Sequence, residues 1–161
     1  MIIDELSLRI RTAMGLTPTA EQCEAIDCVS HFLTNRNEHA AMILRGSAGT
    51  GKTTLAAAVV RALQQLEQRL VLLAPTGRAA KVFTLYSGMP AYTIHRRIYR
   101  QRSAGDLSSF NLNDNLYHDT LFIIDEASMI ATTGNDSTFG SGSLLDDLMR
   151  YVYQGQNCRM L

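Results

Sequence analysis

The sequence is short of several things, and each shortage narrows its reading. Its three cysteines, Cys23, Cys28 and Cys158, show no C-x-x-C spacing. That excludes a zinc knuckle and a disulfide framework, and makes a reduced, cytoplasmic setting the default. No apolar run approaches the ~20 residues of a membrane helix, and acidic Asp4 and Glu5 stand where a signal peptide would be basic. A soluble, unexported protein with no membrane partner is expected. Lysine is nearly missing: Lys52 and Lys81 are the only two, and the remaining cations are arginines, which suit planar and phosphate contacts. Acids are missing from a whole block. No Asp or Glu falls between Gln68 and Gly105, whereas Arg69, Arg78, Lys81, Arg96, Arg97, Arg100 and Arg102 all do. The formal net charge of the 161 residues is zero, so this basic middle says more about a polyanionic partner than the total does. The N-K-x-D string of GTPases and the L-S-G-G-Q string of ABC-type ATPases are both absent.

What is present begins with Gly46-Ser47-Ala48-Gly49-Thr50-Gly51-Lys52-Thr53, a complete G-x-x-x-x-G-K-[ST] phosphate loop. Backbone N–H groups must wrap closely around the phosphates, and glycines let the main chain turn that tightly. The following helix, opening through Thr54, aims its positive end at the same anion. Lys52 is expected at the β- and γ-phosphates, and the Thr53 hydroxyl on Mg²⁺. A flexible glycine-rich turn could carry the same letters. The context argues otherwise: Ala40 to Leu44 is an apolar run of strand type, and Leu55, Val59, Leu63 and Leu66 recur at helical spacing.

At 46% hydrophobic, the chain can bury one core. Ile3 to Met14 reads as an amphipathic helix closed by Gly15, and a second helix starts at Thr19, whose spacing to Gln22 makes a capping box. Leu70 to Ala74 reads as a strand, Arg78 to Leu85 as a short helix and Thr93 to Gln101 as another, capped by Thr93. Residues 103–119 turn polar and read as a mobile loop or small hairpin; 131–143, rich in Gly, Ser and Thr, also reads as mobile. Leu121 to Ile124 is a third strand, Leu144 to about Tyr153 a helix, and Cys158 to Leu161 looks like an opening strand. Strands that are apolar throughout and alternate with helices predict an α/β fold, a mostly parallel sheet with helices on both faces. The whole of 1–161 is then one domain: N-terminal helices over 1–36 and a phosphate-loop core over 37–161. Ligands of such sheets sit at the carboxyl ends of the strands, so the segments at Gly46, Pro75 and Asp125 should converge.

The third strand ends in Asp125-Glu126. Phosphoryl chemistry has a use for both acids: Asp125 can hold the Mg²⁺ shared with Thr53, and Glu126 can act as general base on the attacking water. Two solvated acids heading the next helix are the plainer alternative.

Asp125-Glu126-Ala127-Ser128-Met129, Ala74-Pro75-Thr76-Gly77-Arg78-Ala79-Ala80-Lys81 and Thr93-Ile94-His95 resemble motif II, motif Ia and the adjoining element of superfamily 1B DNA helicases, the RecD-like and Dda-like group. Leu16 to Gln22 resembles that group's Q motif. The resemblance implies a three-layer RecA-like motor domain of an exodeoxyribonuclease V alpha-like helicase, using ATP and Mg²⁺ to move along single-stranded DNA. It implies that Gln22 contacts adenine, although Gln22 may equally serve only to close the helix cap, and both can hold. It also implies that Pro75, Thr76, Lys81, Thr93, His95 and Arg96 face DNA. Each has a plainer alternative: a β-to-helix turn with a surface lysine, a histidine bonded locally, a solvated arginine face. Family helicases continue to a Gly-Asp-x-x-Gln-Leu motif and a second RecA-like domain that supplies arginines to the γ-phosphate. Neither is in this sequence, so it is expected to be the truncated first motor domain of a longer parent, binding ATP but hydrolysing it poorly. A small-molecule or nucleotide kinase, or a non-catalytic nucleotide-binding module, would also use the loop.

Overall fold

A computed structural model describes residues 2–35, 37, 39–103, 106–130 and 139–161, the side chains of 102–109 excepted. Two helices come first, α1 (Ile2–Ala13) and α2 (Ala20–Thr34). Leu6, Ile10 and Met14 are buried from one side, Ile26 and Val29 from the other. The Arg11 guanidinium grips the Asp27 carboxylate at 2.8 and 3.0 Å, and Ser7 donates to Ser30 at 3.0 Å. The capping box forms as the sequence predicts: Thr19 Oγ1 accepts from Gln22 N at 3.2 Å, and Gln22 Oε1 accepts from Thr19 N at 3.0 Å.

The phosphate loop leads into α3 (Lys52–Gln65). Then follow β1 (Arg69–Ala74), α4 (Gly77–Ser87), β2 (Ala91–Thr93), α5 (Ile94–Ile98), the hairpin strands β3 (Tyr99–Ser103) and β4 (Asp106–Leu112), β5 (Thr120–Ile124), α6 (Leu144–Gln154) and β6 (Arg159–Met160). The main sheet has the order β2-β1-β5-β6, and every pairing in it is parallel. Because side chains alternate across a strand, Leu70, Leu72, Leu121 and Ile123 join a core with α1, α2 and α3. Val71, Leu73 and Phe122 face the opposite way, into a second core with Ile94, Ile98, Leu148, Tyr151 and Val152. Both faces are covered, which explains why the strands are apolar throughout. The result is the expected α/β fold of a P-loop NTPase, a parallel sheet between helical layers.

Two expectations need correction. Ala40 to Leu44 is not a strand: Ala41 makes only an isolated bridge to Met160, with Met42 N donating to Met160 O at 3.0 Å. The segment lies beside the two-residue β6, and Ile43 is 80% exposed, so the apolar run marks a sheet border and not a buried ladder. The helix expected from Thr93 to Gln101 stops at Ile98. Thr93 does cap it, accepting from Arg96 N at 3.3 Å. From Tyr99 the chain instead pairs antiparallel with β4, Tyr99 opposite Leu112, a distant partner that outweighs local propensity. Of the two readings of 103–119, the small hairpin is the one that forms, with β4 paired to β3 over the described residues; Asn115 is buried and donates to Tyr151 O and Val152 O. Of the expected mobile stretch 131–143, residues 131–138 lie outside the described residues, as do 104 and 105.

Candidate active site

The carboxyl ends of the strands gather the candidate residues. Asp125 N donates to Leu73 O at 3.0 Å, which fixes the first acid beside the end of β1, where Pro75 and Thr76 leave the sheet. Thr53, in the first turn of α3, donates its hydroxyl to Asp125 Oδ2 at 3.2 Å and lies 3.5 Å from Oδ1. Two residues 72 positions apart in sequence thus meet. A hydroxyl and a carboxylate are hard oxygen donors of the kind Mg²⁺ accepts, and Mg²⁺ keeps its other positions for phosphate and water. The pair therefore fits the ion. Among the described residues there is no cluster of three or more His, Cys, Asp or Glu that could hold a metal ion.

The loop itself is built for anions. Gly49 and Gly51 have φ of +78° and +83°, and Gly51 is the N-cap of α3 with no side chain capping it, so the helix's first N–H groups face the loop. A Cβ on Gly46 would lie 2.8 Å from Thr50 Oγ1, so the loop closes on itself too tightly for a side chain there. Ser47 O accepts from Thr50 Oγ1 at 2.8 Å and from Lys52 Nζ at 2.8 Å; Lys52 Nζ also donates to Gly46 O at 2.7 Å. The ammonium is thus folded over its own loop, held only by carbonyls that a phosphate can replace. Ala48 and Thr54 complete the wrap and the first turn of α3. Gln22 reaches in from α2, its Nε2 donating to Thr50 O at 3.2 Å. A cavity of about 240 Å³ lies over the loop, lined in part by Gln22, Ala25, Leu44, Arg45, Gly46 and Lys52. Arg45 escaped the sequence reading; its only signal is its place immediately before Gly46. A larger cavity, about 960 Å³, sits at the opposite amino ends of the strands near Arg69 and Thr120, away from every candidate catalytic group.

Glu126 is exposed and adopts φ +56°, ψ +36°, a left-handed conformation that a non-glycine residue holds only at a cost of order 1–3 kcal/mol. Its N–H donates to Asp125 Oδ1 at 3.0 Å. The kink turns the chain just past Asp125, so the second acid projects to solvent at the same strand end.

The expected DNA-facing residues divide. Thr76 caps α4, accepting from Ala79 N at 3.2 Å, while Arg78 and Lys81 are exposed with no ion-pair partner among the described residues. His95 is half-buried with its ring 5.7 Å from that of Tyr99 and 5.1 Å from that of Phe139. Arg96 is exposed near the Tyr92 ring at 5.7 Å, and Arg97 packs over that ring at 4.4 Å while donating to Tyr117 Oη at 2.9 Å. The acid-free block is therefore partly structural. Arg159 donates to the Phe32, Leu33 and Asn35 carbonyls at the end of α2.

A phosphate loop ahead of a helix and a strand-end acid bonded to the loop's threonine define the class of P-loop nucleoside triphosphatases. More particularly, a family model described as an AAA domain matches residues 18–140, and the chain belongs to that helicase-like P-loop family. The chain is also similar to an uncharacterized protein of Methanocaldococcus jannaschii, 30% identical over 145 residues. That alignment covers 82% of this chain but spans only 12% of the relative's length.

Proposed function

We propose that this chain is the ATP-hydrolysing motor domain of a RecD-like DNA helicase, coupling Mg²⁺-ATP turnover to movement along single-stranded DNA. The observation that carries the reading is the Thr53–Asp125 bond with Glu126 next in the chain. A kinase has no need for a second acid at that strand tip. In this reading Lys52 neutralises the β- and γ-phosphates, Thr53 and Asp125 hold Mg²⁺, and Glu126 takes the proton of the attacking water. Mg²⁺ supplies charge neutralisation along the phosphates. The strand backbone tracks past Pro75, Thr76 and Lys81, with Thr93, His95 and Arg96 flanking, and stretches already free of acids face it. A second RecA-like domain of the same parent supplies the γ-phosphate arginine, so this chain alone binds nucleotide and turns it over slowly.

The test is a titration of a labelled single-stranded oligonucleotide at several salt concentrations, with ATP turnover measured alongside. Binding should weaken as salt rises, log K falling by about 0.7 per decade of salt for each phosphate contacted. No binding, or binding indifferent to salt, would remove DNA from the reading. Brisk DNA-stimulated turnover by this chain alone would remove the need for the second domain.

A further inference from the structure

We infer that Arg45 is a second phosphate ligand of the nucleotide site, a planar cation that joins Lys52 on the triphosphate. The inference rests on the nucleotide-binding reading above and adds one residue to that site. Arg45 is exposed and lines the cavity over the loop together with Gly46, Ser47 and Lys52. It stands immediately ahead of Gly46, so its Cα is about 3.8 Å from that of the loop's first glycine.

Other arginines of the chain are held within the fold. Arg11 bonds Asp27, Arg61 bonds the Ala13 and Tyr86 carbonyls, Arg97 bonds Tyr117, and Arg159 bonds the carbonyls that end α2. Arg45 differs: among the described residues no hydrogen bond, ion pair or ring contact holds its side chain. Glu21, the acid that shares the cavity lining, is exposed and forms no ion pair with it. The fold thus leaves this guanidinium to a ligand. Lys52 must first release the Gly46 and Ser47 carbonyls before it turns to an anion, whereas Arg45 has no bonds to give up. One Mg²⁺ and one lysine also leave a nucleoside triphosphate short of neutral. The arginine fork offers its N–H groups in pairs to phosphate oxygens, a geometry that the point charge of lysine lacks.

The test measures, by calorimetry at low and at physiological salt, binding of ATP and of inorganic tripolyphosphate, each with Mg²⁺, to the unmodified chain, to Arg45→Gln and to Arg45→Lys. Arg45→Gln should weaken both ligands by one common factor, about three- to tenfold for a charge-assisted contact at an exposed site. The loss should shrink as salt screens the charge. Arg45→Lys should recover part of it, because the charge returns without the fork. Both variants should keep the Tm of the unmodified chain, since nothing in the fold holds Arg45; a lower Tm would make the residue structural and overturn the inference. Loss confined to ATP, with tripolyphosphate unchanged, also overturns it and places the guanidinium at the nucleoside end. Equal binding by all three proteins overturns it too. An unmodified chain that binds neither ligand overturns the nucleotide reading itself, and this inference with it.

Discussion

The phosphate loop and the root of the hairpin are both polar knots on the same sheet, yet they are tied in opposite ways. In the loop, the bonds of Lys52 and Thr50 reach carbonyls three to six residues away, on residues that are exposed or half-buried. At the hairpin root, Asp147 of α6 is 1% exposed and accepts from the Tyr99 hydroxyl, 48 residues away, at 2.7 Å and from Ser141 N at 2.9 Å. Phe139 stacks on Phe110 of β4 with ring centroids 4.8 Å apart, and Gly140 N donates to Phe110 O at 2.9 Å. Gly140 must be glycine: a Cβ there would meet the Asp147 carboxylate at 2.1 Å. Short-range exposed bonds can be traded for a ligand at little cost, whereas long-range buried ones hold elements together. The loop should therefore govern function without governing stability, and the root the reverse.

The largest expected effect tests the functional half of that contrast. Glu126→Gln removes the base and keeps the shape, so in the intact helicase proposed above ATP turnover with single-stranded DNA should fall by about 10²- to 10⁴-fold. Nucleotide affinity and Tm should stay where they were. Full turnover at unchanged affinity would show that Glu126 is only a solvated acid. Next comes Lys52→Ala. Loss of a charge-assisted contact to phosphate should weaken Mg²⁺-ATP binding on the order of a hundredfold. The Tm should hardly move, because the ammonium's partners, the Gly46 and Ser47 carbonyls, remain open to water. A large drop in Tm would break the comparison, since the loop would then be structural.

How much of this was legible in the sequence follows the same division. The phosphate loop, the Thr19 and Thr93 caps and the Asp125-Glu126 pair are local strings; the structure forms both caps and sets Thr53 of the loop against Asp125. The Thr53–Asp125 meeting was also foreseeable, because parallel strands bring their carboxyl ends together. The end of α5 was not, since it depends on Tyr99 facing Leu112 across the hairpin and Asp147 across the core. Asp147 itself gave no signal: an acid in the first turn of a helix reads as a partner of the helix dipole. The arginine block misled in part for the same reason. Arg97 looks like a phosphate ligand by type but packs over Tyr92 and donates to Tyr117 inside the fold.

The structural half is tested by Asp147→Ala. Removing the carboxylate leaves the Tyr99 hydroxyl buried without a partner, at about 1–3 kcal/mol, while the Ser141 N–H, on an exposed residue, can turn to water. Denaturant unfolding should show that loss, while Mg²⁺-ATP affinity stays within about twofold, since Asp147 touches no part of the loop. Tyr99→Phe should lose less, because the carboxylate keeps Ser141 N. If either change weakened nucleotide binding as much as Lys52→Ala, the root and the loop would be one unit and not two.

The smallest effect is in pH, and it arises at the root, where two bonded groups move in opposite directions. Burial opposes charge on Asp147, but the bonds from Tyr99 and Ser141 outweigh it, and its carboxyl is held below the usual range. The folded pKa is thus lower than the unfolded value near 3.9. Stability from this group is present above about pH 4 and is lost as pH falls toward the folded value. Tyr99 moves the other way. Its burial, then its bond to Asp147 and that carboxylate's charge, push its hydroxyl well above the usual tyrosine range. Its contribution is complete below about pH 10 and is lost as pH rises beyond the unfolded pKa. Melting followed from pH 3 to 11 should therefore give a plateau with a shoulder at each end. Asp147→Asn should flatten the acid shoulder and shrink the alkaline one together, because one carboxylate feeds both. Lys52→Ala, acting on a loop whose bonds are its own, should leave both shoulders where they are.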